Sequence, residues 1–341
     1  MDAPTAVPPA TLLTRPLVGR SVWHGAELAS GPRDWVWRLD ADTVADIDRA
    51  LAKVRREGRA LTQITREDFS LPSLEATFAR IADELEHGRG FAQIRGIDVA
   101  RYDADDFARI FWGVSTHLGR AIPQNAAGDL LGHVRDEGRD MSDGRTRLYQ
   151  TNLRQRFHTD IGADVVGLAC VRPSREGGVS MIASSAAIHN ALLERAPWYL
   201  GVLYGRFNLD WRGEQPAGER GWYSEPVFAW HEGRLSCRFS ASLIESAQRL
   251  TGEPLTDVQR EALAMVEALA EEFRLEVDFE PGDLQFISNY AVLHDRTGFT
   301  DHADPALRRH LYRIWLTTSN ARTLPEAWAG GAARRGIRAQ A

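Results

Sequence analysis

Cysteine is scarce. Cys170 and Cys237 are the two in 341 residues, so neither a disulfide framework nor a zinc–thiolate cluster organises this chain. Both sit in apolar, strand-like runs and read as buried free thiols. That usage fits a reducing, cytoplasmic setting. Long apolar runs are missing too. No stretch approaches the roughly 18 residues of a membrane span. The opening MDAPTAVPPATLLTRP lacks the apolar segment of a secretory signal. Nor is there an excess of positive charge. Forty-one basic residues against 47 acidic ones leave a net charge of −6, which gives no global field to draw nucleic acid or an anionic membrane. What is present is globular: 43% hydrophobic and 26% charged residues, in a chain long enough for an ordinary core.

Residues 1–18 are expected to form a flexible arm and residues 326–341 a flexible tail, with a single domain over 19–325. Val44, Ile47, Leu51 and Val54 share one helical face, as do Phe107, Ile110, Phe111, Val114 and Leu118. Two more helices carry Ile188, Leu192 and Leu193 (stopped before Pro197), and Val258 to Phe273. Short strands are expected at 91–94, 165–171, 179–183, 227–230, 235–239, 275–279, 284–287 and 311–317. His231-Glu232-Gly233-Arg234 is a candidate hairpin turn. Many strands with a few helices outside them imply a mixed α+β fold, mainly β: a barrel-like core with buttressing helices. Residues 135–149 and 210–226 read as long polar loops, either lids or disordered segments.

The chemistry begins at His158-Thr159-Asp160. On a strand, residues i and i+2 face the same way, and the apolar run that follows places them against the core. A carboxylate there is costly unless paired or metal-bound. Two such ligands plus one further histidine make the facial triad of non-heme iron(II) oxygenases. A second His-x-Asp, His302-Ala303-Asp304, lies in a polar stretch before Pro305 and reads as a loop. His294, after the Pro281-Gly282-Asp283 turn and an apolar strand, is the candidate third ligand. Arg309 and Arg313 follow it and alternate with Leu311 and Trp315 on one strand face. Arginines on an otherwise core-like face call for anions, which a guanidinium grips in a two-pronged fork.

Taken together, Phe157-His158-Thr159-Asp160, Gly177-Gly178-Val179-Ser180, the Pro281-Gly282-Asp283 turn with Asn289 and His294, and the Arg309/Arg313 pair resemble the taurine dioxygenase-like (TauD/TfdA) family. The resemblance spans about residues 90–320. It implies a double-stranded β-helix (a jelly-roll, cupin-like core), and an iron(II)- and 2-oxoglutarate-dependent dioxygenase. Such an enzyme oxidises, most simply hydroxylates, an unactivated C–H bond with dioxygen and releases succinate and carbon dioxide. By the same resemblance His158, Asp160 and His294 hold iron. Arg309, with Ser180 in the place of a usual threonine, holds the distal carboxylate of 2-oxoglutarate. Arg313 matches an arginine that takes a substrate's acidic group, so a small anionic substrate is expected. Tyr149, Asn152 and Arg296, near the ligands in sequence, are candidate substrate contacts, with Gln124 and Asn125 brought close by the fold. A carboxylate at 160, where halogenating relatives carry a small residue, favours oxidation over halogenation. Desaturation or cyclisation, a metal-assisted hydrolase and a non-catalytic metal-binding barrel are the competing readings. Homo-oligomerisation is left open.

Overall fold

The computed structural model describes residues 12–140, 146–329 and 336–337. Two facing β-sheets form its centre. The larger runs in the order Val36–Arg38, Phe91–Arg95, Leu284–Ser288, Val165–Arg172, His310–Thr317, Arg120–Ile122, and Leu131–Val134 also pairs with His310–Thr317. The smaller runs Leu275–Val277, Ser180–Ser184, Val292–Arg296, Gln155–His158. The pairing of Val36–Arg38 with Phe91–Arg95 is parallel; the other pairs in these two sheets are antiparallel.

Period-two alternation sorts the side chains of the larger sheet. Val166, Ile287 and Trp315 turn inward and meet Ile182 and Val292 of the smaller sheet. Their neighbours Val165, Phe286 and Ile314 turn outward, against helices. Ala104–Thr116 supplies Phe107, Ile110, Phe111 and Val114 to that outer layer, at helical spacing. Ala41–Arg56 and Glu75–His87 extend it. Fully buried Phe111 alone contributes on the order of 2 kcal/mol by leaving water. The smaller sheet is covered by Ser185–Arg195, Pro197–Leu203 and Asp257–Phe273. This two-layer jelly-roll with helical buttresses is the architecture the sequence implied.

Several local expectations change. Residues 210–226 are not one loop. Arg206–Asp210 and Trp222–Pro226 pair as an antiparallel hairpin, which leaves 211–221 as the connection. Phe207, Leu209 and Tyr223 supply buried alternation, but interleaved charges hide it in the sequence. The helix ending at Arg195 is followed at once by another, because Pro197 sits at a helix start, where no N–H is needed. The turn at 231–234 is as expected: Glu232 and Gly233 both take positive φ, 47° and 78°.

Of the expected N-terminal arm, residues 1–11 lie outside the described part. Leu13 is buried, and Asn190 holds both the N–H and C=O of Leu17 at 2.8 Å. Within the expected C-terminal tail, Trp328 and Ile337 are buried, and the Ile337 N–H donates to the Pro123 carbonyl at 2.8 Å. Residues 330–335 and 338–341 are outside the described part. No described helix is long and apolar enough to cross a membrane.

Candidate active site

His158 ends the strand Gln155–His158, and His294 lies within Val292–Arg296. The register makes them cross-strand partners, with ring centroids 4.1 Å apart. Facing positions on one side of an antiparallel pair are about 5 Å apart, so sheet pairing alone brings the two imidazoles together.

Asp160 arrives differently. It was expected to share His158's strand, but the strand stops at His158, and side chains steer the following turn instead. The Asp160 N–H donates to Asn289 Oδ1 (2.8 Å), and Asn289 Nδ2 donates to the carbonyls of Asp160 (2.7 Å) and Ala163 (2.9 Å). Arg238 donates to the same Asp160 carbonyl. Trp315 Nε1 donates to Asp160 Oδ2 at 2.9 Å. The carboxylate thus stands 3.8 Å from His158 Nε2 through one oxygen and 3.8 Å from His294 Nε2 through the other. One ligand atom from each of the three lies within 4.8 Å of the others.

Asn289→Ala is expected to orphan two buried backbone groups, the Asp160 N–H and the Ala163 carbonyl, while the Asp160 carbonyl keeps Arg238. Each such loss costs about 1–3 kcal/mol, so denaturant unfolding should show a loss of roughly 2 kcal/mol or more, with weaker iron retention. Wild-type stability would remove Asn289 from this role.

The protonation states suit metal binding. His158 Nδ1 lies 2.9 Å from the Arg156 carbonyl, which can only accept, so Nδ1 carries the proton. Nε2 therefore offers its lone pair, at present to the Gln155 amide at 2.8 Å. Burial holds both imidazoles below their usual pKa, His294 down to about 3. Burial works the other way on Asp160, but Arg313, His294, His158 and the Trp315 bond outweigh it and keep the carboxyl below its usual range. Two neutral nitrogens and one carboxylate oxygen form a donor set that fits iron(II).

Two cavities meet at this cluster, and His158 and Asp160 line both. The smaller, about 50 Å³, reaches Ser180, Arg296 and Arg309. Buried Arg309 has an Nη1 with no partner. Burial pushes its pKa down to about 10, so the guanidinium is short of an anion. The larger cavity, about 160 Å³, is lined by Gln124, Tyr149, Trp211, Arg313 and Trp315 among others. Arg313 takes a 2.7 Å bond from its Nε to Gln124 Oε1 and stacks over Tyr149, 4.4 Å from the ring centre.

The structure brings together nearly all the residues the sequence singled out. Ser180 and Arg309 share the smaller cavity, while Tyr149 and Arg313 line both. Arg296 faces the smaller cavity instead of the larger, and one arm is spent on the backbone carbonyls of Leu148, Thr151 and Leu153. Asn152 lines neither; its side chain is exposed and its carbonyl accepts from Phe299. Asp304 caps a short turn through the Ala306 N–H, so His302-Ala303-Asp304 is structural. Sequence reasoning missed Gln155, Arg147, Arg212 and Glu214. Gln155 lies three residues before His158 on the same strand, a spacing that alternation does not bring together. The other three gave no local signal.

Residues 57–315 match the family described as "Taurine catabolism dioxygenase TauD, TfdA family". The FR-33289 synthase of Streptomyces rubellomurinus is 32% identical over 320 residues, covering 92% of this chain and 94% of that protein. The taurine hydroxylase-like protein SAT17 of Stachybotrys chartarum is 28% identical, covering 89% and 80%. Among solved structures, an asparagine oxygenase in complex with Fe(II), 3-hydroxyasparagine and succinate superposes with a TM-score of 0.66 at 17% identity, over 83% of this chain and 94% of that one. The chain belongs to the TauD/TfdA family, and so to the iron(II)- and 2-oxoglutarate-dependent dioxygenases.

Proposed function

We propose that this enzyme hydroxylates a small anionic molecule, with His158, Asp160 and His294 as its iron ligands. One observation carries the reading: the three donors stand where two cavities meet, one ending on an unsatisfied arginine and the other open to a substrate.

Bound iron(II) would activate dioxygen, the oxidant: 2-oxoglutarate would give two electrons and accept one oxygen atom as it becomes succinate and carbon dioxide, and the C–H bond would give the other two as it becomes an alcohol. The protein's own residues do the rest. Arg309 and the Ser180 hydroxyl bind the distal carboxylate of 2-oxoglutarate at the closed end of the smaller cavity. Trp315 holds one Asp160 oxygen and so fixes the carboxylate's rotation. Arg313, braced by Gln124 and Tyr149, takes the substrate's acidic group and sets which carbon faces the metal. Trp211, Leu243 and Phe157 line the same cavity and limit water there. The family comparison supports dioxygenase chemistry, and the relative named for taurine hydroxylation supports the hydroxyl outcome.

The test is product analysis. Iron(II)-loaded enzyme is incubated with 2-oxoglutarate and a panel of small organic acids. The expected result is one oxygen atom added per succinate formed. Loss of two hydrogens would replace hydroxylation by desaturation, and turnover with zinc and no 2-oxoglutarate would overturn the whole reading.

A further inference from the structure

Five arginines line the larger cavity: Arg147, Arg154, Arg156, Arg212 and Arg313. Three are already neutralised. Arg147 pairs with Glu214, Arg154 with Asp295 and Glu271, and Arg156 with Glu245 and Glu267. Among the described residues, no carboxylate is in ion-pair contact with either of the other two. Arg313 is bonded to the neutral Gln124. It faces Asp160 electrostatically, but that carboxylate is committed to the metal in the function proposed above, on which this inference rests.

Arg212 is the less expected of the pair. It sits in the 211–221 connection of the hairpin, half-buried, with a positive φ of 52°. A residue other than glycine rarely takes that backbone, which costs of order 1–3 kcal/mol and persists only where the surroundings impose it. Here they do. Asp210 Oδ1 accepts the Arg212 N–H, while its other oxygen accepts from Ser246. Arg147, reaching across from the 146–149 segment, donates to the Arg212 carbonyl at 3.3 Å and grips Glu214. The acidic groups nearest Arg212 are therefore spent on building the turn. Arg212 lines the cavity with no ion-pair partner of its own among the described residues, and burial together with the charges of Arg147 and Arg249 outweighs the pull of Asp210 and Glu214. A strained residue held in place by its neighbours beside a cavity, its cation without a paired carboxylate, has the form of a recognition element.

We propose that Arg212 is a specificity-determining residue, and that with Arg313 it selects a substrate carrying two negative charges. A doubly ionised group or two separate acids would meet this demand equally, and a monoacid would leave one guanidinium desolvated and unpaired.

The experiment uses iron(II)-loaded enzyme saturated with 2-oxoglutarate, without oxygen, titrated calorimetrically with inorganic phosphate at pH 8, adipate, propionate and propylamine. Wild type is expected to bind phosphate or adipate at least tenfold more tightly than propionate, and propylamine not at all. Which dianion wins tells one doubly charged group from two acids. Arg212→Asn keeps a residue that accepts positive φ but removes the charge; it should erase the tenfold preference, and Arg212→Lys should keep most of it. Equal binding of propionate and the dianions by wild type, no binding of any anion, or an unchanged preference in Arg212→Asn would each overturn the proposal. Affinity for 2-oxoglutarate, measured in the same preparations, separates the two readings. Its absence sinks the oxygenase site assignment, whereas its presence without an Arg212 effect sinks this inference alone.

Discussion

Asp160→Ala is expected to lower iron(II)-dependent succinate formation by more than about 100-fold, because groups that merely support a metal ligand already cost 10–100-fold when removed. The variant loses the one anionic donor of the set. It should still fold. The contacts that place residue 160 run through its backbone N–H and carbonyl, to Asn289 and Arg238, and alanine keeps both. Trp315 Nε1 loses an acceptor, a cost of about 1–3 kcal/mol. The checks are succinate yield, iron content after gel filtration and a thermal melt. Product formation at the wild-type rate by a well-folded variant would remove Asp160 from the metal site.

The second large effect belongs to Arg309. Truncating one member of a buried charge pair costs about 2–5 kcal/mol, and each 1.4 kcal/mol is a factor of ten. Arg309→Ala should therefore raise the 2-oxoglutarate concentration needed for half-maximal rate on the order of 100-fold. Arg313→Ala should move that value far less. The variant should also answer in the absence of turnover. Wild-type protein gains thermal stability as 2-oxoglutarate rises, since a ligand that binds only the folded state stabilises it by mass action; Arg309→Ala should gain little. Without 2-oxoglutarate the variant should be no less stable than wild type, because the residue removed is a buried cation with an unpartnered Nη1. A larger shift for Arg313→Ala than for Arg309→Ala would exchange the two roles.

Much of the fold was legible because the central strands are buried on both faces. Val165–Arg172 is a nearly continuous apolar run for that reason, and His310–Thr317 is one broken by Arg313. The hairpin at 206–226 was hidden because its buried positions alternate with Arg206, Asn208 and Ser224 and include the charged Asp210 and Glu225. At the site, the sequence singled out His158, Asp160 and His294, which the structure brings together, but not what joins them. That His294 lies opposite His158 is a fact of register, which depends on how two distant strands pair. Proximity in sequence misled at Asn152: the ladder is irregular between His294 and Arg296, and just before Gln155 the chain turns outward. The Arg147–Glu214 clasp joins two segments far apart in sequence, so nothing local announces it.

The different anchoring of His158, Asp160 and His294 has an evolutionary consequence. The histidines are rungs of a ladder, and their strands hold the smaller sheet together. The carboxylate hangs from a turn outside that ladder, whose course is set through main-chain atoms that every residue but proline possesses. A lineage built on this scaffold can exchange the side chain at position 160, and with it the anion proposed to meet the metal, without renegotiating the sheet.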